Sequence, residues 1–537
     1  MATNLDRILP PYTRRANSLS HKLKKATVVT AILAFAVVMG FWIAIFSTFV
    51  VPIFVGIIGL LFLIALWMSD DVEPDLRNFG GKMLVGFFAL SIIWPNYLAI
   101  TIPGLPWLTP TRIVLALLSL TMLLQISQSR ITRDHISGSI MQTKSAFIAY
   151  AVVQFCMLAT FLIAPHPVDA LSFVVQQLIL WNLPLVALLW LFEDSKLVER
   201  LMQALAIALM IAMLFTLGEY RSKLPVWIPH IPSFLTVEGP QMQAFLTAQV
   251  RLDGTYRAKG TYGIHLYYSQ LLLLMLPFAI HWILDALSPA KRGWAIAYVA
   301  LLLVTIWMNN TRTATTGQLV VIAAMLGLYA LRHYLNTRNK LDMTAPALAI
   351  GIPAVAAIGA MLIAISPRLQ TMTIGGTQHA GSDAVRDGQW ERAWTAVAKN
   401  PFGYGASQSG PITGRPTSAG TWIVDSTWIN IMVDFGIIAA IAWVAFIGII
   451  AGFGALIYLQ RADRSADLCG PAAVAIGSFA MTMYTISYYG NMPFLMVMIA
   501  MVVTTRYRLA VAGKLARPKD IFQRKSNRPQ PVGVSAA

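Results

Sequence analysis

Charge is what this chain has little of: 12% of its 537 residues are Asp, Glu, Lys or Arg, while 57% are hydrophobic. An ordinary soluble chain carries roughly twice that charged fraction, and a water-facing surface of this size could not be covered with so few charges. Lipid as the solvent removes the difficulty. Acidic residues are scarcer still, 23 against 40 basic ones, giving a formal net charge of +17. Such an excess suits either nucleic acid or an acidic membrane surface, and its placement decides between them. Six basic residues (Arg7, Arg14, Arg15, Lys22, Lys24 and Lys25) lie in the first 26 positions, and eight more follow Thr505, from Arg506 to Arg528. Both clusters abut long apolar segments and carry no DNA-binding motif. They read as cytoplasmic anchors under the positive-inside rule, with no nucleic-acid partner expected.

Cysteine is nearly absent. Cys156 falls in an apolar stretch and Cys469 in a short loop, so no disulfide is expected. The signatures of soluble enzymes are missing as well: no GxxxxGK followed by Ser or Thr, no HExxH, no GxSxG and no paired CxxC. The 8 histidines have no metal-ligand spacing, so neither a metal nor a cofactor is expected. The N-terminal charged lead and the apolar run behind it are too long for a cleavable signal, and no small-residue cleavage site follows.

What the chain does have is apolar runs of about 17–25 residues, long enough to span a bilayer. They lie near 28–46, 50–68, 83–101, 112–127, 145–163, 171–192, 200–218, 266–286, 294–309, 315–331, 346–365, 427–455, 472–488 and 492–505. The fold class expected is an all-α polytopic membrane protein of about 12–14 transmembrane helices. An even count puts both termini on one side. The connectors that then fall in the cytoplasm (128–144 with Arg130 and Arg133, 288–292, and 332–340) are each basic, which supports the orientation independently. The domain plan is a basic cytoplasmic segment at 1–26, a transmembrane domain at 27–505 and a basic, disordered cytoplasmic tail at 506–537. Two connectors, 219–265 and 366–425, far exceed the others and fall outside, where function concentrates.

The first long loop ends in Arg251-Leu-Asp-Gly-Thr-Tyr-Arg257-Ala-Lys259-Gly260-Thr261-Tyr262-Gly263-Ile-His265. Its glycines alternate with cations and aromatics, so backbone amides and side chains could approach an anion together. A tight re-entry turn whose arginines meet lipid headgroups would give the same pattern. Arg312, in the connector from Asn309 to Thr315, either snorkels to the interface or serves a site. In the second loop, 383–399 reads as an amphipathic helix on the membrane surface, capped by Ser382 or Asp383 and stopped by Asn400-Pro401. Arg386, Trp390, Ala393, Trp394 and Val397 fall on one stripe of it. Interfacial anchoring explains the tryptophans but not an arginine in line with them. Asp425 stands at the mouth of the next helix, where a carboxylate either caps the helix or acts as a base beside substrate. Asp434, about two turns further in, is an intramembrane acid, a costly group that defaults to functional or paired roles.

The stretch Arg386-x3-Trp390-x2-Ala393-x7-Pro401, closing with Gly403-x-Gly405, resembles the signature of the bacterial O-antigen ligase and Wzy polysaccharide polymerase superfamily, in the family's large periplasmic loop. Arg257-x2-Gly260-Thr261-Tyr262 resembles the family's Arg-x-x-Gly-Thr-Phe segment, and Thr311-Arg312-Thr313 its Ser-Arg-Gly-type turn. The resemblance covers about residues 240–440. Ligases of the family carry a histidine where Asp425 stands, and the aspartate form is more like the exopolysaccharide polymerases. The resemblance implies a GT-C-like architecture in the bacterial inner membrane and a metal-independent, inverting glycosyltransferase. The implied donor is a polyprenyl-diphosphate-linked oligosaccharide such as an undecaprenyl diphosphate glycan. The partners it implies are the lipid bilayer, a chain-length regulator and export proteins. Asp425 and Arg386 are the expected catalytic pair, with Arg251, Arg257, Lys259, His265, Arg312, Trp390 and Arg392 as expected substrate contacts. Arginine suits a diphosphate because its planar fork makes bidentate phosphate contacts.

The reading adopted is a polymerase of lipid-linked repeat units. A ligase passing glycan to a lipid A core or to protein is the alternative within the family. A lipid-linked oligosaccharide flippase is the alternative from another class, and a non-catalytic assembly protein is a third. A transporter should carry charges near the bilayer midplane and inverted repeats, whereas here the charges crowd the two external loops. In a cysteine-free background, cysteines introduced within 219–265 and 366–425 are expected to react with an impermeant maleimide from outside. Labelling only after lysis would overturn the orientation.

Overall fold

Among lipid chains a backbone N–H or C=O has no water to bond, so an apolar segment crosses as a helix that satisfies those groups internally. The computed structural model describes residues 59, 75–101, 108–237, 246, 256–285, 288–337, 343–365, 370, 380–416, 422–460, 465–487 and 489–516. In chain order the first helices are α1 (Arg77–Ile93), α2 (Pro110–Gln128), α3 (Arg130–Gln142), α4 (Lys144–Phe161), α5 (Pro167–Leu191) and α6 (Ser195–Ser222). Next come α7 (His265–Leu284), α8 (Pro289–Asn309), α9 (Arg312–Asn336), α10 (Thr344–Ile365) and α11 (Ala380–Lys399). The series ends with α12 (Ser409–Thr413), α13 (Thr427–Phe435), α14 (Ile437–Gln460), α15 (Cys469–Thr482) and α16 (Met492–Val511). Among the described residues, 9 of these helices (α2, α4 to α9, α14 and α16) are long and apolar enough to cross a membrane. Strand is confined, among the described residues, to two short antiparallel pairs, β1 (Leu98–Ala99) with β2 (Thr236–Val237) and β3 (Arg415–Pro416) with β4 (Trp422–Ile423). The chain is an all-α polytopic membrane protein.

Contacts divide the chain into two compact units. The described part of one is chiefly residues 120–133, where Arg133 donates to the carbonyls of Ile126 (2.9 Å) and Ser127 (3.0 Å) and closes the turn between α2 and α3. The other unit holds 77–101, 108–119 and everything described from Asp134 onward. Its core is α7 and α16, whose apolar windows are 78% and 72% buried, against 28–56% for the other spans. A helix that is apolar all round belongs at the centre. Around this core α7 packs on α8, α9 and α15, while α14 packs on α4 and α15. Buried amides tie the centre together: Gln270 donates to Thr482 (2.8 Å), and Asn491 donates to Gln270 (3.0 Å) and to the Tyr267 carbonyl (2.8 Å).

Three expected spans take a different form. The one near 83–101 is α1, which stops at Ile93 because the proline at 95 disfavours helix at the residue before it; Leu98–Ala99 then turns into strand. The one near 472–488 ends at Thr482. Beyond it a turn offers the carbonyls of Met483 and Ile486 to the side chains of Ser426 and Thr427 and to the Thr427 N–H. The one near 427–455 is broken at Gly436 into α13 and α14. The candidates near 28–46 and 50–68, the segment 1–26 and the tail beyond 516 lie outside the described residues.

The break at Gly436 is the seat of the second long loop. Its backbone, at φ +90°, occupies a region that side-chain-bearing residues rarely adopt. Residues 401–405 run across it: Ile437 N–H donates to Pro401 O (3.0 Å), Tyr404 N–H to Val433 O (2.9 Å) and Gly405 N–H to Asp434 O (3.1 Å). The two backbones approach so closely that a Cβ on Gly403 would stand 2.6 Å from Asp434 O, and one on Gly436 2.6 Å from Pro401 O. Asp434 is thereby a paired acid. Fully buried, it accepts the Ser409 N–H (2.6 Å) and hydroxyl (3.2 Å), and it takes further backbone bonds from Ser407 and Gln408. Gly403→Ala and Gly436→Ala are each expected to cost more than about 1 kcal/mol, from strain and backbone clash together. Gly448→Ala, with no atom within 4 Å of the added Cβ, is the control. Thermal unfolding in detergent reads the difference, and equal melting of all three variants would contradict this account.

Candidate active site

The end of the first long loop is folded around one buried carboxylate. Glu219, in the last turn of α6, accepts the Tyr256 hydroxyl (2.7 Å) and the N–H groups of Lys259 (3.0 Å) and Gly260 (2.8 Å). Gly260 takes φ +59°, with Tyr268 packed where a Cβ would be. Burial pushes the Tyr256 phenol up and the neighbouring Glu219 adds to the shift, because both disfavour a phenolate. Burial lowers the Lys259 ammonium, which Glu219 partly offsets. This frame leaves Arg257 partly exposed, donating to His265 Nε2 at 3.0 Å. Arginine has no acceptor, so the His265 proton on that edge is excluded and Nδ1 carries it.

Asn309, at the end of α8, joins that loop to the next arginine. Its amide donates to the carbonyls of Ala258 (2.9 Å) and His265 (2.8 Å), and Ala258 N–H donates to Met308 O (3.2 Å). The chain turns through Asn310 at φ +52° and enters α9 at Arg312. Both Arg312 Nη atoms engage Asp383 of α11, Nη1 at 2.9 Å. Arg386, one turn along α11, reaches the same carboxylate at 3.6 Å. Two guanidiniums from separate elements are thus gathered on one carboxylate.

Asp425 is placed by the same helix. Gln389 of α11 is fully buried, accepts the Asp425 N–H (3.0 Å) and donates to the Ile423 carbonyl (3.0 Å). The N-cap of α13 is Ser426, whose hydroxyl is spent on Met483 O. Asp425 therefore stands one residue outside the cap. Its side chain has no hydrogen-bond or ion-pair partner among the described residues, is partly exposed, and lies within electrostatic reach of Tyr267, two residues beyond His265. Of the two readings of Asp425, capping is the one this geometry removes.

The helix Ala380–Lys399 starts before Ser382 and Asp383, so neither caps it as expected; the Asp383 carboxylate instead goes to Arg312, where an opposite charge competes with a turn of neutral amides. The expected stripe shifts too. Gln389, Ala393, Ala396 and Val397 are buried, whereas Trp394 is 54% exposed. Trp390 stacks on Tyr484 with ring centres 5.1 Å apart. Arg392 donates twice to the Thr413 carbonyl, at 2.8 and 3.3 Å, which ties α11 to the end of α12. Lys259 is buried against the Glu219 frame. Arg251 lies outside the described residues. Among the described residues no group of three or more His, Cys, Asp or Glu could hold a metal ion.

Residues 297–444 match the family model described as O-antigen ligase. The match supports the O-antigen ligase and Wzy superfamily for this segment. The matched residues run from α8 into α14 and contain Arg312, Asp383, Arg386, Gln389 and Asp425. No curated protein matches the chain. The superfamily segment supports an O-antigen ligase or polymerase type of function, and its helix α11 is the element that sets both the arginine pair and Asp425.

Sequence reasoning passed over Glu219, Asn309 and Gln389, and assigned Asp383 to a cap. An acid directly at the end of an apolar span was a usable signal for Glu219. A lone amide on the apolar stripe of α11 was one for Gln389. Gln389→Ala is expected to release the strand it clamps, a loss of about 1 kcal/mol per bond. Hydrogen exchange at the Asp425 amide should then speed up, and unchanged exchange would contradict the clamp.

Proposed function

We propose that the protein is a polysaccharide polymerase, transferring polyprenyl-diphosphate-linked repeat units onto a growing glycan at the periplasmic face of the bacterial inner membrane. The observation that carries this reading is the Asp425 carboxylate, unpartnered at a helix mouth and clamped through Gln389 to the helix that bears Arg386. A base must come within hydrogen-bond reach of the hydroxyl it serves, and a rigid helix end is where such a group is held to the required tolerance.

In this reading the acceptor hydroxyl oxygen attacks the anomeric carbon from the face opposite the diphosphate. The carbon–oxygen bond to the diphosphate breaks and its electron pair leaves on the phosphate oxygen, while the hydroxyl proton passes to Asp425. One in-line displacement inverts the anomeric centre. The charge that develops on the leaving diphosphate falls to Arg312 and Arg386, whose planar forks match phosphate oxygens. Arg257, oriented by His265, extends the cationic surface for the donor, and Asn309 holds the turn that carries both. Guanidinium neutralisation takes the part that a divalent ion plays in other phosphate chemistry.

A second reading, a ligase passing finished glycan to lipid A core or protein, draws on the description of the matching family. The acceptor separates the two. Purified protein in nanodiscs, given lipid-linked oligosaccharide alone, should build a ladder of repeats; product formed only when lipid A core is added would favour the ligase. In the same assay Asp425→Asn is expected to lower turnover about a hundred- to ten-thousand-fold while the fold is kept. Arg386→Lys should fall steeply because the charge stays but the fork is lost. Near-normal product from Asp425→Asn would remove Asp425 as the base.

A further inference from the structure

Resting on the reading of the arginine pair as the diphosphate site, we infer that Asp383 is a specificity-determining residue, an internal anion that holds the Arg312–Arg386 pair closed to singly charged phosphodiesters and yields it to a diphosphate. Three observations converge on it. Asp383 occupies one edge of one guanidinium, taking a bond from each Nη atom of Arg312. The other stays underused: the nearest Asp383 oxygen is 3.6 Å from Arg386 Nη1, and the buried Arg386 Nε has no hydrogen-bond partner among the described residues. The carboxylate itself is accessible, with its side chain 39% exposed against 23% and 20% for the two arginines.

The charges decide what can enter. Arg312 and Arg386 together carry two positive charges, and Asp383 cancels one. The phosphodiester of a bulk membrane lipid brings a single negative charge. To reach the fork it must break a bidentate pair of the same charge, gaining no more than it displaces. A diphosphate brings more than one charge and more oxygens, so it can engage Arg312 and still bond the Nη edge of Arg386, which Asp383 approaches only to 3.6 Å. An ion pair this exposed is weak in net terms, so the stronger anion displaces it readily. Discrimination of this sort needs an element that penalises the wrong ligand, and an internal carboxylate supplies it. A lipid-linked donor is scarce beside ordinary phospholipid, so the two arginines without Asp383 would be occupied by headgroups.

The test uses the full chain in neutral-lipid nanodiscs, with farnesyl diphosphate as the diphosphate probe and phosphatidylglycerol as the singly charged competitor. Wild type should bind farnesyl diphosphate, and equimolar phosphatidylglycerol should leave that binding unchanged. In Asp383→Asn, phosphatidylglycerol should become an effective competitor, its affinity rising about tenfold or more while diphosphate affinity changes less. Asp383→Glu should retain the wild-type selectivity. An unchanged selectivity ratio in Asp383→Asn, or equal weakening of both ligands, would overturn the inference and leave the diphosphate site standing. Strong competition by phosphatidylglycerol in wild type would overturn it without any variant. Failure of wild type to bind farnesyl diphosphate would overturn both the inference and the reading beneath it.

Discussion

Every polar loop laid against this apolar bundle must have its backbone groups satisfied from within, and a few buried side chains meet that demand. Glu219 receives the amides of Lys259 and Gly260, Asp434 those around Ser409, Gln389 the strand at Ile423 and Asp425, and Asn309 the carbonyls of Ala258 and His265. Leaving any of these groups unpaired in the interior would cost about as much as a hydrogen bond to water is worth, roughly 1–3 kcal/mol each. The loops are consequently fixed where they touch the bundle. What they expose, namely Arg257, Arg312, Arg386 and Asp425, is fixed with them.

The glycines follow from the same demand. Gly403 and Gly436 let two backbones meet without side chains between them, and the helix that could have run unbroken from Thr427 to Gln460 gives way to the crossing. The break shortens α13 to nine residues and leaves Asp425 and Ser426 at its mouth, where Ser426 and Thr427 are braced on the carbonyls of Met483 and Ile486. A continuous helix would offer no hydrogen bonds to the loop. The arrangement also explains why an acid as costly as Asp434 is kept in the interior: backbone amides and the Ser409 hydroxyl satisfy it there.

Charge is distributed with equal economy. Glu219 and Asp434 bond chiefly to backbone amides, Asp383 pairs with two arginines, and the Asp425 side chain has no partner among the described residues. Asp387 and Glu391 also lack side-chain partners among the described residues but lie exposed along α11, whereas Asp425 stands at the mouth of α13. Arginine fits the paired positions because a guanidinium can face an acid with one edge and keep donors in reserve on the other.

The sequence by itself determined the solvent and the architecture, since a chain with 12% charge and repeated apolar runs has no stable alternative to spanning helices. It also located the second loop, because the Arg386–Gly405 pattern lies within the segment that matches the superfamily. Helix ends were legible where a local breaker set them, as at Asn400-Pro401 after Lys399. They were not legible where a distant segment did so, as at Gly436, whose crossing partner lies some thirty-five residues earlier at Pro401. The stripe on α11 was half legible: Ala393 and Val397 are buried as the period requires, but Gln389 displaced Trp394 from it because an amide was needed at Asp425. Only the tertiary structure could decide the partners of the acids. Hydropathy and helical period report how far a residue prefers water and which way it faces, whereas pairing depends on which atoms arrive within about 3 Å, a matter of long-range packing.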